Sequence, residues 1–581
     1  MAATEPRRPA ASVVRVLAAA TGAVLLALGF AAPATARPAA TSAPLSVAVV
    51  VPITVPGDGS GLLDAATLAN LTSPIGALTR DLDAVLATPA TVALDPMIPV
   101  SIRVLGTQAP PSATAWLARL EAAANEVFLL AYADADLTVF AREDALGLAE
   151  PTGFAYALDP ASFGPAQSPT PTATEPPATP TATPTGQPGD DTPPPLPSTE
   201  ELLAWPGAIG RIAWPAEGTV VSGDLTAYAE AGFEAVLLSS ANASEVRSGA
   251  VDLGPLPGLI ADSAASALLR EAATSFDPQT REAAARRLAT ALDGLAAARP
   301  GRSVVLTLDR GASLASGGLA EAFDAIGERA GADPVGLAAV LAAPKGSASV
   351  VRGEERPAVD AADRLLDAVR AERSFASILG DPTLLTGPRR AELLSLLSVQ
   401  STAADDWPSR LAAYLAESHA IRGSVTIADD GGVFVTSSST FIPIRVSNAL
   451  EHAVTVRISA RPLLDRIRIS SPVEVTIEPG STATVKLDAQ AITNGRVTVR
   501  VALSSPVNGT PIGQPRSLVV DLQAQWETVG LVIGGVLFLV FAVGIVRNIV
   551  RRRRRGGPVD DEDPNALAEP APAVRDEESA G

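Results

Sequence analysis

The chain of 581 residues contains no cysteine and only two histidines. Without cysteine it can form neither a disulfide framework nor a lipoprotein anchor, and a thiolate zinc cluster is impossible. The two histidines fall in different regions: His419 ends a predicted helix, and His452 lies in a turn between predicted strands. The sequence therefore predicts no metal site. Stability must come from hydrophobic cores, for which a hydrophobic content of 47% is sufficient.

Several enzyme signatures are missing as well. No G-x-S-x-G elbow, phosphate-binding loop or dinucleotide fingerprint occurs in the strand-turn-helix context that each one requires. We therefore predict no cofactor. The formal net charge is −19 at pH 7. Such a surface repels the phosphate backbone of nucleic acids, so a nucleic-acid partner is excluded.

A long apolar run lies near the C-terminus. Residues 529–546 carry no charge and no strong helix breaker, and a helix needs roughly 17–25 such residues to span a membrane. We predict one transmembrane helix at 528–550. Arginines follow at 551–555, and basic residues of this kind stay on the cytoplasmic side. We expect a single-pass cell-membrane protein whose large N-terminal region is extracytoplasmic. The basic stop and the disordered acidic tail, 551–581, would be cytoplasmic.

The first 36 residues have the pattern of a secretory signal peptide. Arg7, Arg8 and Arg15 accompany an apolar segment at 16–30, and the small residues at 34–36 form a cleavage pattern. We predict a signal peptide at 1–36 for ordinary secretion, because the rest of a twin-arginine signal is missing. An uncleaved second membrane helix is the alternative, although the run is short for a span.

Between residues 45 and 420, apolar strands alternate with amphipathic helices, which is typical of parallel βα units covered on both faces. Six or seven strands in this length favour an α/β fold, with a (β/α) barrel-like domain at 45–420. A doubly wound sheet is the alternative. The predicted strands are 45–56, 91–96, 126–136, 210–218, 235–240, 256–260 and 303–310, and the predicted helices are 74–86, 113–125, 137–146, 225–231, 278–298, 319–329, 335–341, 358–371, 389–399 and 405–418.

Two further segments complete the predicted architecture. The Pro/Thr-rich stretch at 165–197 offers no apolar surface to bury and is predicted to be disordered. It either links two domains or is an insertion in one, and the βα rhythm that resumes after it favours insertion. From 423 to 524 the pattern changes to two-residue alternation over nine short strands. This predicts an immunoglobulin-like β-sandwich without the cysteine pair, acting as a spacer above the membrane.

Reacting groups in a parallel barrel come from the carboxyl ends of its strands. This rule selects the catalytic candidates Asp95, Asp134, Asp136 and Asp309, and the substrate-binding candidates Tyr132, Trp214 and Glu217. Glycoside hydrolysis needs paired carboxylates, one as the acid and the other as nucleophile or base. Asp134 and Asp136 lie two residues apart and would point to the same side of an extended strand, which makes them the better candidates. The aromatic face of Trp214 could stack on a sugar, although single tryptophans are also common in cores.

Helix capping offers another interpretation of Asp95. The pair Asp95-Pro96 has the same form as Asp277-Pro278, Asp333-Pro334 and Asp381-Pro382. In each pair the aspartate could cap a helix that has proline at its first position. Capping would explain four similar pairs by one mechanism, whereas catalysis would explain one. Asp134 and Asp136 could likewise serve a loop or a cap.

The stretches TVALDPMI, VFLLAYADADLTVF and IAWPAEG, followed by LTAYAEAGFEAVLLS, resemble a family of actinobacterial membrane proteins of unknown function, domain of unknown function 6049. The order of β-sandwich, membrane helix and basic stop agrees with that family. The resemblance implies an exported barrel akin to polysaccharide-processing barrels and a cell-envelope context, since family members are commonly encoded beside the lipid II flippase. The family motif Pro-Tyr-Gly-Asp-Pro-Asp corresponds here to residues 131–136, which keep the tyrosine and both aspartates but lack the proline and glycine that shape the turn.

These observations lead to three hypotheses for function. The first is an envelope protein whose exported barrel binds a cell-wall glycan or an envelope protein partner without cleaving it. The second is a glycosidase-like hydrolase that uses Asp134 and Asp136 with Asp309 or Asp95. The third is a non-catalytic scaffold of a membrane complex. Carboxylates that converge in one concave pocket would favour the hydrolase, and scattered carboxylates would favour binding or scaffolding.

Overall fold

The computed structural model describes residues 44–57, 59–163, 195–328, 331–351, 357–428, 433–435, 439–522 and 526–554. The predicted signal peptide, residues 165–194 of the Pro/Thr-rich stretch and the tail after Arg554 lie outside the described residues. From Pro44 onward the chain belongs to one compact unit.

Strands and helices alternate through the first half of the described chain, as the periodicity predicts. The elements are β1 (Leu45–Ile53), α1 (Ala65–Leu71), α2 (Ala77–Leu86), β2 (Thr91–Leu94), α3 (Met97–Val104), α4 (Pro111–Glu121), β3 (Val127–Leu129), α5 (Leu137–Arg142), α6 (Thr199–Leu203), β4 (Ile212–Ala213), α7 (Ser222–Glu230), β5 (Ala235–Ser239), β6 (Ala243–Ser244), β7 (Ala250–Asp252), β8 (Pro257–Ala261), α8 (Ser263–Thr274), α9 (Pro278–Ala298) and β9 (Ser303–Thr307).

A mainly helical stretch comes next, and nine strands and a long C-terminal helix follow it. These elements are α10 (Gly318–Gly327), β10 (Ala332–Pro334), α11 (Leu337–Ala342), β11 (Gly346–Ser347), β12 (Ser349–Val350), α12 (Pro357–Asp360), α13 (Ala362–Phe375), α14 (Thr383–Leu396), α15 (Val399–Thr402), α16 (Trp407–Arg422), β13 (Val425–Ile427), β14 (Val433–Val435), β15 (Ser439–Asn448), β16 (Val454–Pro462), β17 (Ile467–Ile469), β18 (Val473–Ile477), β19 (Thr482–Ala491), β20 (Gly495–Ser504), β21 (Pro511–Leu522) and α17 (Trp526–Arg553).

Seven parallel strands form a nearly closed barrel-like sheet, in the order β4-β5-β8-β9-β1-β2-β3. The two ends of this order meet, because the backbone N–H of Ile209, just before β4, donates to the carbonyl oxygen of Val127 in β3 at 2.9 Å. The prediction of a barrel-like α/β fold is confirmed at this level.

The side chains of the strands divide between two cores. In β1, Val47, Val49 and Val51 pack into a cluster shared with the surrounding helices, whereas Ala48 and Val50 pack into an inner cluster. Each of the seven parallel strands contributes to this inner cluster, as expected for the inside of a barrel. Helix α11 adds two more apolar side chains to it. The N–H of Leu337 in α11 donates to Thr91 at the start of β2, so this helix covers the amino-terminal end of the sheet.

Residues 425–522, here called the two-sheet region, contain all nine strands that the two-residue alternation predicts. One sheet has the order β13-β15-β19-β17 and the other β14-β21-β20-β16-β18, and most neighbours are antiparallel. Alternate side chains of both sheets meet in one buried cluster. The alternation of exposed and buried residues in β19 and β20 shows why the sequence pattern identifies these strands.

In the described part of the chain, one helix is long and apolar enough to cross a membrane. It is the segment Gly530–Arg553 of α17, which contains an 18-residue stretch with mean hydropathy 2.4, none of it buried in the protein. Its position agrees with the predicted span at 528–550. The helix indicates that the protein associates with a membrane.

Several local predictions are wrong. The strand predicted at 126–136 ends at Leu129, and the one predicted at 210–218 is limited to Ile212–Ala213. The helix predicted at 74–86 begins only at Ala77, and Ile75, which precedes it, is 82% exposed. The pair Asp333-Pro334 lies in β10, which pairs with β1, and does not start a helix.

Candidate functional site

A cavity of about 350 Å³ lies at the carboxyl ends of β4, β5, β8 and β9. We call it the mouth cavity. Parallel barrels carry their functional sites at this end of the sheet, because the loops that follow the strands converge there. Its main polar residues are Trp214, Glu217, Ser239, Ser263, Arg270, Asp309, Arg310 and Gln400. Three of the predicted site residues, Trp214, Glu217 and Asp309, are therefore brought together.

Two carboxylates reach the mouth cavity from different strands. Glu217 follows β4 and Asp309 follows β9, and both side chains are exposed. Oδ2 of Asp309 lies 2.7 Å from Nε of Arg270, a residue of α8. Because both members of this ion pair are 41% or more exposed, water screens their attraction and the pair adds little to stability. The cavity thus offers carboxylates and a guanidinium group to a ligand.

Arg310 connects three strand ends. Its Nε lies 2.9 Å from Oδ1 and 2.7 Å from Oδ2 of Asp134, which follows β3. An Nη of Arg310 donates to the carbonyl oxygen of Trp214, and its Cζ lies 4.4 Å from the centre of the indole ring. The ion pair with Asp134 is almost fully buried, so loss of either partner would leave an uncompensated charge. Arg310 therefore positions the ends of β3, β4 and β9 and covers one face of the indole.

Asp134 lies in a tight turn and not in an extended strand. Residues Tyr132–Asp134 form a 3₁₀ turn in which Ala133 and Asp134 have φ values of +57° and +51°. Left-handed backbone of this kind is unfavourable for residues with a Cβ atom. Burial raises the pKa of Asp134 to about 6, although the neighbouring Arg310 acts to lower it. The carboxyl group of Asp134 faces Arg310 and does not line the mouth cavity.

The carboxyl groups of Asp95 and Asp136 are fully buried and bind nearby backbone. Oδ1 of Asp95 accepts from the N–H of Met97 at 2.9 Å, and burial raises the pKa of Asp95 well above its ordinary value. Oδ1 of Asp136 accepts from Thr138 at 3.1 Å and from Ala216 at 3.3 Å, so it caps α5 and ties that turn to the loop after β4. Neither residue lines the mouth cavity. Among the described residues, no group of three or more His, Cys, Asp or Glu side chains is placed to hold a metal ion.

Tyr132 serves the packing of the turn. Its hydroxyl donates to the carbonyl oxygen of Gly61 at 2.7 Å, and the residue is 3% exposed. Its ring packs at a tilt against Phe154, with the ring centres 5.6 Å apart. Tyr132 borders a separate, mainly apolar cavity next to β3, of about 1,110 Å³. Tyr132 does not line the mouth cavity with Glu217 and Asp309.

The repeated Asp-Pro pairs have three different outcomes. Asp277 caps α9 as predicted, with its Oδ2 accepting from the N–H of Thr280 at 2.9 Å and with Pro278 at the first helical position. Asp95 and Asp381 instead bind the N–H two residues ahead, just where α3 and α14 begin. Asp333 lies in a strand. Of the four pairs, Asp277-Pro278 therefore has the predicted cap, with proline at the first helical position. Asp95 and Asp381 bind the first helical N–H from one residue further out, where proline is the N-cap.

Sequence reasoning missed Arg270, Arg310 and Gln400. Arg310 directly follows Asp309 at the end of a predicted strand, so the strand-end rule contained a usable signal for it. Arg270 lies on the face of α8 that meets the cavity, and Gln400 comes from α15. Their contribution depends on contacts between segments far apart in the chain, which periodicity does not reveal.

Many solved structures have weak similarity to this chain, and three of them are described here. The alpha-amylase AmyC from Thermotoga maritima has 9% identity and a TM-score of 0.40, over 65% of this chain and 92% of that chain. The ASH/PapD-like domain of human CEP192 has 13% identity and a TM-score of 0.15, over 18% of this chain and 87% of that chain. Native alpha-2-macroglobulin from Escherichia coli has 14% identity and a TM-score of 0.15, over 18% of this chain and 17% of that chain. Similarity at TM-scores this low supports no conclusion about fold or function.

No curated protein matches this chain significantly. The family model, in contrast, spans almost the whole sequence, from residue 12 to residue 572. It covers the barrel-like sheet, the two-sheet region and α17, in agreement with the resemblance seen in the sequence motifs. The chain belongs to the family of unknown function DUF6049.

Proposed function

We propose that this protein is a membrane-anchored binding protein that takes a short segment of a cell-wall glycan into the mouth cavity. The observation that carries the proposal is the composition of that cavity: hydroxyl, amide, carboxylate and guanidinium groups surround a tryptophan in about 350 Å³. This volume lies within the roughly 300–1,000 Å³ of small-molecule sites. Sugars present many hydroxyl groups, and such a mixed lining can pair with them.

The proposal includes the location of the protein and its orientation in the membrane. In our proposal α17 spans the cell membrane, its basic end is cytoplasmic, and the barrel lies outside the cell. The two-sheet region is an immunoglobulin-like sandwich that serves as a spacer. A reporter enzyme fused after Arg555 tests this orientation: a reporter that works only in the cytoplasm should be active, and activity of an export-dependent reporter would reverse the topology.

Calorimetric titration of the full chain in nonionic detergent tests glycan binding. The probes are soluble peptidoglycan fragments and chito-oligosaccharides. Replacement of Glu217 and Gln400 by alanine should weaken binding about tenfold or more, because each loses hydrogen bonds to the ligand. Glu282→Ala, on the exposed face of α9, is the matched control. Equal affinity of the cavity variants and the wild type would refute the proposal, and absence of any glycan binding would favour an envelope protein partner or a scaffold role.

Glycoside hydrolysis is the second candidate function, and one observation favours it. Glu217 and Asp309 come from different strands and share one open cavity, as the two carboxylates of a glycosidase do. The sequence spacing favours the pair Asp134 and Asp136, but both residues are buried. Asp134 forms an ion pair with Arg310, and Asp136 caps α5. Glu217→Gln and Asp309→Asn should then abolish turnover of a bound glycan while the protein remains folded. If both variants bind the glycan and no wild-type turnover occurs, binding alone is the function.

A further inference from the structure

A separate cavity of about 420 Å³ lies where the helical part of the chain meets the two-sheet region. We call it the junction cavity. Its walls come from the end of α13, the last turn of α16, the end of β13 and the first half of β21. It shares no lining residue with the mouth cavity.

The charge of the junction cavity differs from that of the whole chain. His419, Arg422 and Arg516 line it, and no carboxylate side chain is part of its described lining. The chain as a whole carries a net charge of −19. Anions are repelled by such a surface at long range, so a local group of cations is required if an anion is to bind. The junction cavity provides one.

Helix stabilisation explains part of this arrangement but not all of it. Arg422 lies in the last turn of α16, where a positive side chain interacts favourably with the helix dipole. Arg422 also donates from Nε to the carbonyl oxygen of Ser418 at 3.2 Å, which orients its guanidinium group. Arg516 also lines the cavity, and it belongs to a separate element, β21.

The rest of the lining is mainly apolar, with Phe375, Ile427 and Pro511 among its residues, and it also contains neutral polar groups. These are the hydroxyl groups of Ser374, Thr426 and Thr510 and the amide of Gln514. Two guanidinium groups from different elements, together with several neutral donors, suit a ligand that has many acceptor oxygens in a non-planar arrangement. A phosphate group has this arrangement, whereas the two oxygens of a carboxylate lie in one plane.

We propose that the junction cavity binds a phosphate group, either of a soluble phosphate ester or of a lipid headgroup. In this proposal Arg422 of α16 and Arg516 of β21 contact its oxygens. The volume is larger than a bare phosphate ion requires, so the substituent of a phosphomonoester or phosphodiester can be accommodated. This proposal is independent of glycan binding at the mouth cavity.

Titration calorimetry on the full chain in nonionic detergent micelles tests the phosphate site. Inorganic phosphate and glycerol 3-phosphate probe soluble ligands, and micelles doped with phosphatidylglycerol probe the headgroup. Arg516→Gln removes an exposed guanidinium and should lower the affinity for the bound probe about tenfold or more. Arg500→Gln, an exposed arginine of β20 outside the cavity, should bind like the wild type.

The outcomes decide the proposal and the source of the phosphate. If the soluble probes bind and Arg516→Gln weakens that binding, the ligand is a soluble phosphate ester. If only the doped micelles bind and Arg516→Gln weakens that binding, the ligand is a lipid headgroup. The proposal is overturned if no phosphate probe binds, or if Arg516→Gln binds as tightly as the wild type. Arg422→Gln is a second test, and if its lost bond to Ser418 prevents folding, the Arg516 variant still decides the question.

Discussion

At the scale of single residues, the turn after β3 stores strain at one alanine. Ala133 has φ +57° and is 2% exposed. Left-handed backbone costs a residue with a Cβ atom about 1–2 kcal/mol, whereas glycine adopts it freely. The alanine therefore occupies a backbone conformation that favours glycine.

Ala133→Gly should therefore stabilise the protein. The relief of strain exceeds the extra backbone entropy that glycine loses on folding, for a net gain of about 1 kcal/mol or less. Urea unfolding of the full chain in detergent measures it. Ala135→Gly is the matched control: Ala135 has φ −62°, so glycine there should only destabilise. A lower urea midpoint for Ala133→Gly than for the wild type would contradict the strain argument.

Asp134 gives a prediction about pH. Its pKa is about 6 in the folded protein, raised by burial, and aspartate in an unfolded chain titrates near pH 3.9. Between these values the folded state holds a proton that the unfolded state has lost. The contribution of Asp134 to stability therefore increases as the pH falls through 6 and decreases as the pH rises through 6.

Asp134→Asn removes this titration. Lowering the pH from 7.5 to 5 should stabilise the wild type relative to the variant by about 1 kcal/mol, from the two pKa values. Urea unfolding at the two pH values measures the difference. If the free energy of unfolding differs between wild type and variant by the same amount at both pH values, the buried carboxyl group has the same proton affinity in the folded and unfolded states.

At the scale of elements, two identical dipeptides allow a direct test of capping. Asp277 accepts from the N–H and the hydroxyl of Thr280 and caps α9, whereas Asp333 lies in β10. Asp277→Ala removes the hydrogen-bond acceptor of Thr280 in the first turn of α9 and should lower the melting temperature by roughly 1–4 °C. Asp333→Ala, with the same proline after it, should change it much less. Equal effects of the two variants would mean that the cap does not stabilise α9.

Most elements could be predicted from sequence periodicity, and the failures have a physical cause. Helix α9 and the nine strands of the two-sheet region show patterns of period 3.6 and 2 that local geometry alone explains. The stretch at 126–136 has the composition of a strand and contains neither glycine nor proline. Its turn is fixed by distant partners, Gly61 for Tyr132 and Arg310 for Asp134, which no local pattern contains.

The candidate site, like the fold, was predictable in part from the sequence. The strand-end rule finds Glu217, Asp309 and Trp214, which line the mouth cavity. It also selects Asp95 and Asp136, because strand-end position alone does not distinguish a carboxylate that faces a cavity from one that caps the next helix. That distinction depends on burial, and burial depends on how the loops after β2, β3 and β4 pack against each other.

At the scale of the whole molecule, α13 joins the two hydrophobic cores. Leu365 and Val369 belong to the cluster around the barrel-like sheet, and Phe375, at the end of the same helix, belongs to the cluster of the two-sheet region. Leu379 then forms an isolated bridge with Val454 of β16. A rigid helix that is buried in both cores should couple their unfolding, because neither can open without exposing part of it.

We therefore expect the barrel-like sheet and the two-sheet region to unfold in one transition, and Phe375→Ala should destabilise both. Phe375 is 3% exposed, and its truncation should cost about 3–5 kcal/mol. Hydrogen exchange followed by mass spectrometry on the full chain in micelles reads both parts at once. Peptides from β1, β9, β16 and β20 should lose protection together and to the same extent in the variant.

Phe441→Ala is the matched control, because Phe441 is a half-exposed phenylalanine of β15, and it should leave exchange in the barrel peptides unchanged. If Phe375→Ala accelerates exchange in β16 and β20 alone, the two cores open independently and α13 does not couple them.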